Sequence, residues 1–331
     1  MGAFLESLGV ELPVVQAGMG GGLARHELAA AVSDAGGLGT VGILDPEPLR
    51  REIAKARNDA GPKPVAVNLL LPFARRNHFE VASDADLVVT FWGRPERRTS
   101  KPWIHQCGSV EEARAAHRAG ADAVIAQGME AGGHVRGNVS GLELLEGVRA
   151  ALPDGYPVLA AGGIADGSDV KARLDAGAEA VVCGTRFLMS DESRAHPDYK
   201  ARLVEAQETI LTEMFGLGWS APHRVVPNRA TERWLSTDTR GPTWLRMINR
   251  AAAPVVSTGL VQNPLGMVDR LAAMQRPAVP LFSPAGAVAG RPWNLIDAGP
   301  LYAGESVARI TDIRPAGALV RELATGAVKA G

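Results

Sequence analysis

Val124-Ile125-Ala126-Gln127-Gly128-Met129-Glu130-Ala131-Gly132-Gly133-His134 joins an apolar run to a glycine-rich loop that delivers a single histidine. Glycine at this density lets backbone approach a flat ligand closely, at a cost in loop entropy that packing alone would not require. The loop therefore reads as part of a cofactor site. Two later segments repeat the design: Pro157-Val158-Leu159-Ala160-Ala161-Gly162-Gly163-Ile164-Ala165-Asp166-Gly167 and Ala180-Val181-Val182-Cys183-Gly184-Thr185-Arg186-Phe187. Each is an apolar run suited to a parallel strand buried on both faces, and each opens into glycines before a helical pattern. Successive strand ends of this kind, late in an alternating chain, are where a parallel barrel places a phosphate site.

Working outward, strand patterns fall at 13–17, 38–42, 64–69, 86–91, 102–107, 122–127, 157–161 and 179–183. Helix-period segments lie between most of them, at 25–35, 47–60, 109–119, 140–151 and 166–176, often opened by Ser, Asp or Glu and closed by Gly. Eight strands alternating with helices across short connections predict an α/β fold, a (β/α)8 TIM barrel. The fourth unit is irregular, because only Gly93–Lys101 separates strands four and five and leaves no room for a full helix.

After a helical segment at Pro197–Glu208 the character changes. Trp219, Trp234 and Trp244 alternate with Arg224, Arg229, Arg233, Arg240, Arg246 and Arg250, and from 277 to 300 Pro, Gly and Ala dominate. The expected organisation is a barrel at 1–208, an inserted lid over its mouth at 209–300, and a C-terminal part at 301–331. Within that last part, Ala303–Thr325 reads as a helix returning to the barrel wall.

The chain has 331 residues, with Lys+Arg 35 against Asp+Glu 36 and a formal net charge of −1. That balance offers no electrostatic footprint for nucleic acid or an anionic membrane, so the expected partners are small molecules. The start, Met1-Gly2-Ala3-Phe4-Leu5-Glu6, shows no signal-peptide pattern and no myristoylation signal, and no apolar run is long enough to span a bilayer. Cys107 and Cys183 both fall on expected buried strands, against a disulfide framework. The expectation is a soluble cytoplasmic protein, with the oligomeric state open and a homodimer among the options. Gly18-Met19-Gly20-Gly21-Gly22 fails the dinucleotide spacing at Leu23. His26, His78, His105, His117, His196 and His223 show no metal-ligand spacing, so no metal is expected, and His105 is the one to watch.

Several segments together resemble the FMN-dependent nitronate monooxygenases: Pro13–Gly20, Ala66–Leu69, Gln127–His134, the run Ala160–Gly167 and Gly184–Phe187, with weaker echoes at Arg224–Asn228 and Leu301–Gly304. The flavin-dependent enoyl-acyl-carrier-protein reductases and a group of NADH:quinone reductases carry nearly the same motifs. The resemblance implies FMN as cofactor. Its phosphate would rest on the N–H groups of Gly163 and Gly184 and the hydroxyl of Thr185, with Gly162 and Gly133 allowing close approach. Its ring would lie near Ala17, Gly18 and Met19, within reach of Asn68, Gln106 and Gln127, whose amides each offer a donor and an acceptor. His134 is the catalytic candidate, placed to orient an anionic substrate or move a proton near neutral pH.

Its presence does not choose between reactions. Oxidation of an alkyl nitronate by O2, an NAD(P)H-dependent reduction of an enoyl thioester or quinone, and a non-catalytic flavin-binding role all stay open. The chain departs from well-studied bacterial nitronate oxidases in having only Tyr156, Tyr199 and Tyr302 and no lysine between Lys200 and Lys329. Glu305 also stands where many relatives have glutamine. The Trp- and Arg-bearing insertion is therefore a second candidate for the pocket lining, suited to a larger or carboxylated substrate.

Overall fold

The computed structural model describes residues 2–257, 270–279, 282–290 and 294–329. Eight parallel strands form its centre: β1 (Val14–Gln16), β2 (Gly39–Val41), β3 (Val65–Leu70), β4 (Leu87–Phe91), β5 (Trp103–Cys107), β6 (Ala123–Gln127), β8 (Val158–Ala161) and β9 (Val181–Cys183), with β7 (Gly133–His134) lying outside this ring. They bond in the order β1-β9-β8-β6-β5-β4-β3-β2. Leu38 N–H then donates to the Val14 carbonyl at 3.0 Å and Gln16 N–H to the Leu38 carbonyl at 2.9 Å, which joins β2 to β1 and closes the barrel. The expected strands match within two residues at either end.

Each strand is apolar on both faces because both are covered. Val15, Ala66, Val89, Ile104, Ile125, Leu159 and Val182 point inward and pack together, with Leu5 of the N-terminal helix Ala3–Ser7 filling the lower end. Alternate residues point outward to the helices: Trp103, Val124 and Val158 meet Ala113, Leu144, Leu145 and Val148. The connecting helices start where the sequence supplies caps. Ser109 accepts from Glu112 N–H, Ser140 from Glu143 N–H, and Asp166 from Ser168 and Asp169 N–H. Between β4 and β5 there is no helix, as the short connection requires, and Arg97 ties this loop to Asp122.

A second, antiparallel sheet stands at the barrel mouth. It is built on β11 (His223–Val226), which pairs with β10 (Ile210–Thr212), β12 (Leu301–Tyr302) and the loop strand β7. Its residues come from either side of the 209–300 interval as well as from inside it.

The C-terminal helix differs from the expectation. A 3-10 turn at Glu305–Arg309 is followed by irregular chain, and the α-helix runs Ala316–Lys329. Pro315 explains the late start, since it lacks an N–H and disfavours helical backbone in the residue before it. The helix at Pro197–Glu205 likewise ends before 208, at an extended Ala206. Ala316, Leu319, Val320 and Leu323 of the final helix pack against Val14, Leu28, Val32, Val170 and Val181, so that helix covers the outer face of β1 and β9.

That packing depends on a close backbone approach: a Cβ on Gly167 would lie 2.4 Å from Gly326 Cα, whereas one on Gly317 meets nothing nearer than 3.5 Å. Gly167→Ala is expected to destabilise the fold by roughly the 1–3 kcal/mol of an overpacked contact. Gly317→Ala should cost nothing. Urea unfolding midpoints of the two variants check this; an equal effect would remove the close approach as the cause.

Candidate active site

The inward-facing positions that carry Ala66, Ile104, Ile125, Val15 and Val182 continue, two residues further on, as Asn68, Gln106, Gln127, Ala17 and Gly184. Strand alternation thus replaces the apolar core with three amides at the carboxyl ends of the strands, where a barrel builds its sites. They line one cavity of about 370 Å³. Every residue expected at the site borders it: Ala17, Gly18, Met19, Asn68, Gln106, Gln127, Gly133, His134, Gly162, Gly163, Gly184 and Thr185. His105 does not. It points outward beneath Trp103, bonds Thr90 at 2.8 Å, and is pushed down to about 4 by burial and by the charge of Arg136.

The cavity wall is shaped to fit a flat group and an anion. A Cβ on Gly18 would sit 2.1 Å from Asn68 Cβ, so only glycine lets that loop lie against the amide. Gln127 Nε2 donates to the His134 carbonyl at 3.1 Å, while its Oε1 is buried without a partner among the described residues. The N–H groups of Gly163 and Gly184 donate to no acceptor among the described residues. Thr185 Oγ1 accepts from Gly304 N–H at 2.9 Å, which leaves its own hydrogen available. The helix starting at Gly167 supplies none of these donors, because Asp166 and Asp169 cap it and Arg309 binds Asp169 at 2.8 Å. Gly132 also borders the cavity, and a Cβ there would lie 2.5 Å from the backbone of Ala303 and Gly304.

His134 is positioned by β7. Gly133 and His134 pair with Arg224 and His223 of β11, and the imidazole stacks on Trp219 with ring centroids 3.7 Å apart. Burial, and secondarily His223, holds His134 well below the ordinary histidine range, so the ring is neutral. Its Nε2 has no partner among the described residues. His223 is neutral too, pushed down to about 4 by burial, but fully engaged: Nδ1 contacts the Ala221 carbonyl at 2.8 Å and Nε2 accepts from Phe215 N–H at 3.2 Å.

Phe73, Phe91, Trp219 and Tyr302 also line the cavity; sequence analysis reached Trp219 only through the insertion as a whole and Tyr302 only through the echo at Leu301–Gly304, and gave Phe73 and Phe91 no place there. No local motif marks Phe73 and Phe91, which arrive from separate segments. Of the insertion's aromatic residues Trp219 reaches the cavity, whereas Trp234 and Trp244 pack on each other. None of its described arginines lines it. Arg224 pairs with Glu305, Arg229 with Asp297, and Arg246 and Arg250 with Glu213. The charged residues of the described lining are Arg25, which pairs with Glu52, and Asp45. A carboxylated substrate therefore finds no counter-charge from the described residues of the insertion. His26, Glu27 and Glu52 bring ligand-type atoms within 4.8 Å of one another, but Arg25 and Arg194 join them in ion pairs.

Residues 3–102 and 95–326 match the sequence profile of the nitronate monooxygenase family. The chain is 33% identical to the nitronate monooxygenase of Pseudomonas aeruginosa, over 68% of this chain and 80% of that one. It is 32% identical to a 5-hydroxy-7a-methyl-1-oxo-octahydro-1H-indene-4-carboxyl-CoA dehydrogenase of Mycobacterium tuberculosis, over 69% of this chain and 66% of that one. Among solved structures, FabK from Thermotoga maritima superposes with a TM-score of 0.75 at 31% identity, covering 100% of this chain and 97% of that one. A nitroalkane oxidase from Streptomyces ansochromogenes superposes with a TM-score of 0.72 at 30% identity, covering 98% of each. The chain belongs to the nitronate monooxygenase family, whose members are flavin-dependent oxidoreductases. No helix among the described residues is long and apolar enough to cross a membrane.

The depressed histidines set a pH dependence. His134, His223 and His105 are neutral when folded and titrate near 6.5 when unfolded, so the unfolded chain takes up protons first as pH falls. Stability is full above about pH 6.5 and declines toward pH 4, by up to about 1.4 kcal/mol per pH unit for each histidine. Urea midpoints at about pH 7.5, 6 and 5 should fall in that order, with a shallower decline in His134→Asn. Midpoints constant across that range would contradict the burial assigned to these rings.

Proposed function

We propose that this chain uses FMN and molecular oxygen to oxidise an alkyl nitronate to a carbonyl compound and nitrite. The observation that carries the reading is a neutral His134 with an unpartnered Nε2, at a cavity whose floor is three amides and whose far side offers unpaired glycine N–H groups. Asn68, Gln106 and Gln127 would hold the flavin ring against Ala17, Gly18 and Met19, with Gly133 and Gly162 allowing close approach. Gly163, Gly184 and Thr185 would hold the phosphate. When bound, FMN supplies electron acceptance and reoxidation by O2. The segment 209–300 acts in this reading as the roof that keeps water from the reacting atoms.

His134 is the residue that touches substrate. In its neutral form it can donate a hydrogen bond to a nitronate oxygen, or accept a proton from the carbon of a parent nitroalkane; a protonated ring could not do the second. The aromatic surroundings keep it neutral at working pH. A reductase using NAD(P)H would need the same floor, so reactivity has to separate the two.

Two measurements test this. A Cβ on Gly184 meets only Ala17, at 3.8 Å, so Gly184→Asp should fold yet place a carboxylate where the phosphate binds. FMN should be released from denatured wild type and be nearly absent from that variant; undiminished FMN would remove the phosphate assignment. In anaerobic mixing, an alkyl nitronate should change the flavin spectrum within the turnover time while NADH and NADPH leave it unchanged. His134→Asn should retain FMN and lose turnover by roughly 10²–10⁴-fold. Rapid bleaching by NADH with no response to nitronate would favour the reductase.

A further inference from the structure

Trp219 covers His134 more closely than any ligand atom could share. The rings are 3.7 Å apart at 22°, a face-to-face contact with nothing between them. The indole is 7% exposed and is held by the edges of Phe73 at 5.2 Å and Trp92 at 5.4 Å. Its Nε1 has no hydrogen-bond partner among the described residues, so packing alone sets its place.

Trp92 shows what that place costs. Among the described residues it is the one non-glycine with left-handed backbone, φ 63°. A bulky side chain takes that conformation only where its surroundings over-determine it. Here they are Phe91 at 5.5 Å, Trp219, His134 at 6.1 Å, and the guanidinium of Arg136 at 4.9 Å over the ring. Arg136 is itself anchored to Glu112. The indole of Trp92 does not line the cavity, so the strained backbone serves to hold Trp219 and His134 together.

We propose that Trp219, buttressed by Trp92, is the size-limiting wall of the substrate site, filling one face of His134 and restricting the enzyme to short-chain nitronates. This rests on the nitronate reading above. Each methylene that the wall rejects is worth roughly 10-fold or more in kcat/KM.

The test is a chain-length series from ethyl to hexyl nitronate on FMN-loaded wild type, Trp219→Ala and the more conservative Trp219→Leu. Wild type should lose kcat/KM steeply with length. Both variants should flatten the profile by at least tenfold at the long end, through KM. An unchanged profile in a folded variant overturns the proposal. If no nitronate is oxidised by any form, the nitronate reading fails, and the wall is judged by binding of acetate, butyrate and hexanoate, planar oxyanions without redox chemistry, followed through the bound flavin's spectrum. Selective rejection of hexanoate by wild type, relieved in the variants, supports the wall; equal binding of all three by wild type overturns it.

Discussion

The antiparallel pairing of Gly133 and His134 with Arg224 and His223 is the contact on which the site depends. A two-residue ladder is too short to hold a loop by itself. It holds because its neighbours are fixed: Val135 N–H donates to the Pro222 carbonyl at 2.9 Å, and Gln127 Nε2 to the His134 carbonyl at 3.1 Å. Arg224, buried to 5% exposure, donates from Nε and Nη2 to the Met129 carbonyl at 3.1 and 2.8 Å and pairs with Glu305 at 3.0 Å. A buried guanidinium has to find such partners, because leaving it unpaired would cost several kcal/mol. Its charge is thus used to join β11 to the histidine loop.

Beneath that loop, the barrel solves a second problem with period two. One face of each strand must fill the interior and the other must meet the helices, so polar side chains are tolerated only where the interior ends. Asn68, Gln106 and Gln127 sit at that level on β3, β5 and β6, directly above Ala66, Ile104 and Ile125. A one-residue slip on any of these strands would bury its amide among the helices and aim an apolar side chain at the mouth. The apolar core therefore enforces the polar floor.

This explains what the sequence made legible. Strands and their ends follow from local apolar runs and turn glycines, so the barrel could be read from the chain, whereas the flavin contacts expected at the cavity came from the family resemblance. Gly132 also permits approach of the Ala303–Gly304 backbone, a contact between segments about 170 residues apart that no local pattern announces. The helix start at Ala316 was misplaced because helical periodicity outweighed Pro315. Trp92 was invisible, since nothing in Phe91-Trp92-Gly93 announces left-handed backbone on the tryptophan. Trp219 looked like one of three similar tryptophans, and only tertiary packing separates it from Trp234 and Trp244.

The aromatic enclosure also joins two properties that would otherwise be tuned apart. Trp219, Trp92 and Tyr302 surround the His134 ring at 3.7, 6.1 and 5.6 Å, and it is this exclusion of water that keeps the imidazole neutral. The same indole face that excludes water also occupies space a longer substrate would need. Enlarging the site by trimming Trp219 admits water to the ring and lets its pKa rise toward the ordinary value, so breadth of substrate trades against the fraction of neutral histidine at mildly acidic pH. A protein that needs both a neutral base and a wide pocket would have to desolvate the imidazole from another direction. Here the opposite side is committed to β11, where His223 is already locked by Ala221 and Phe215.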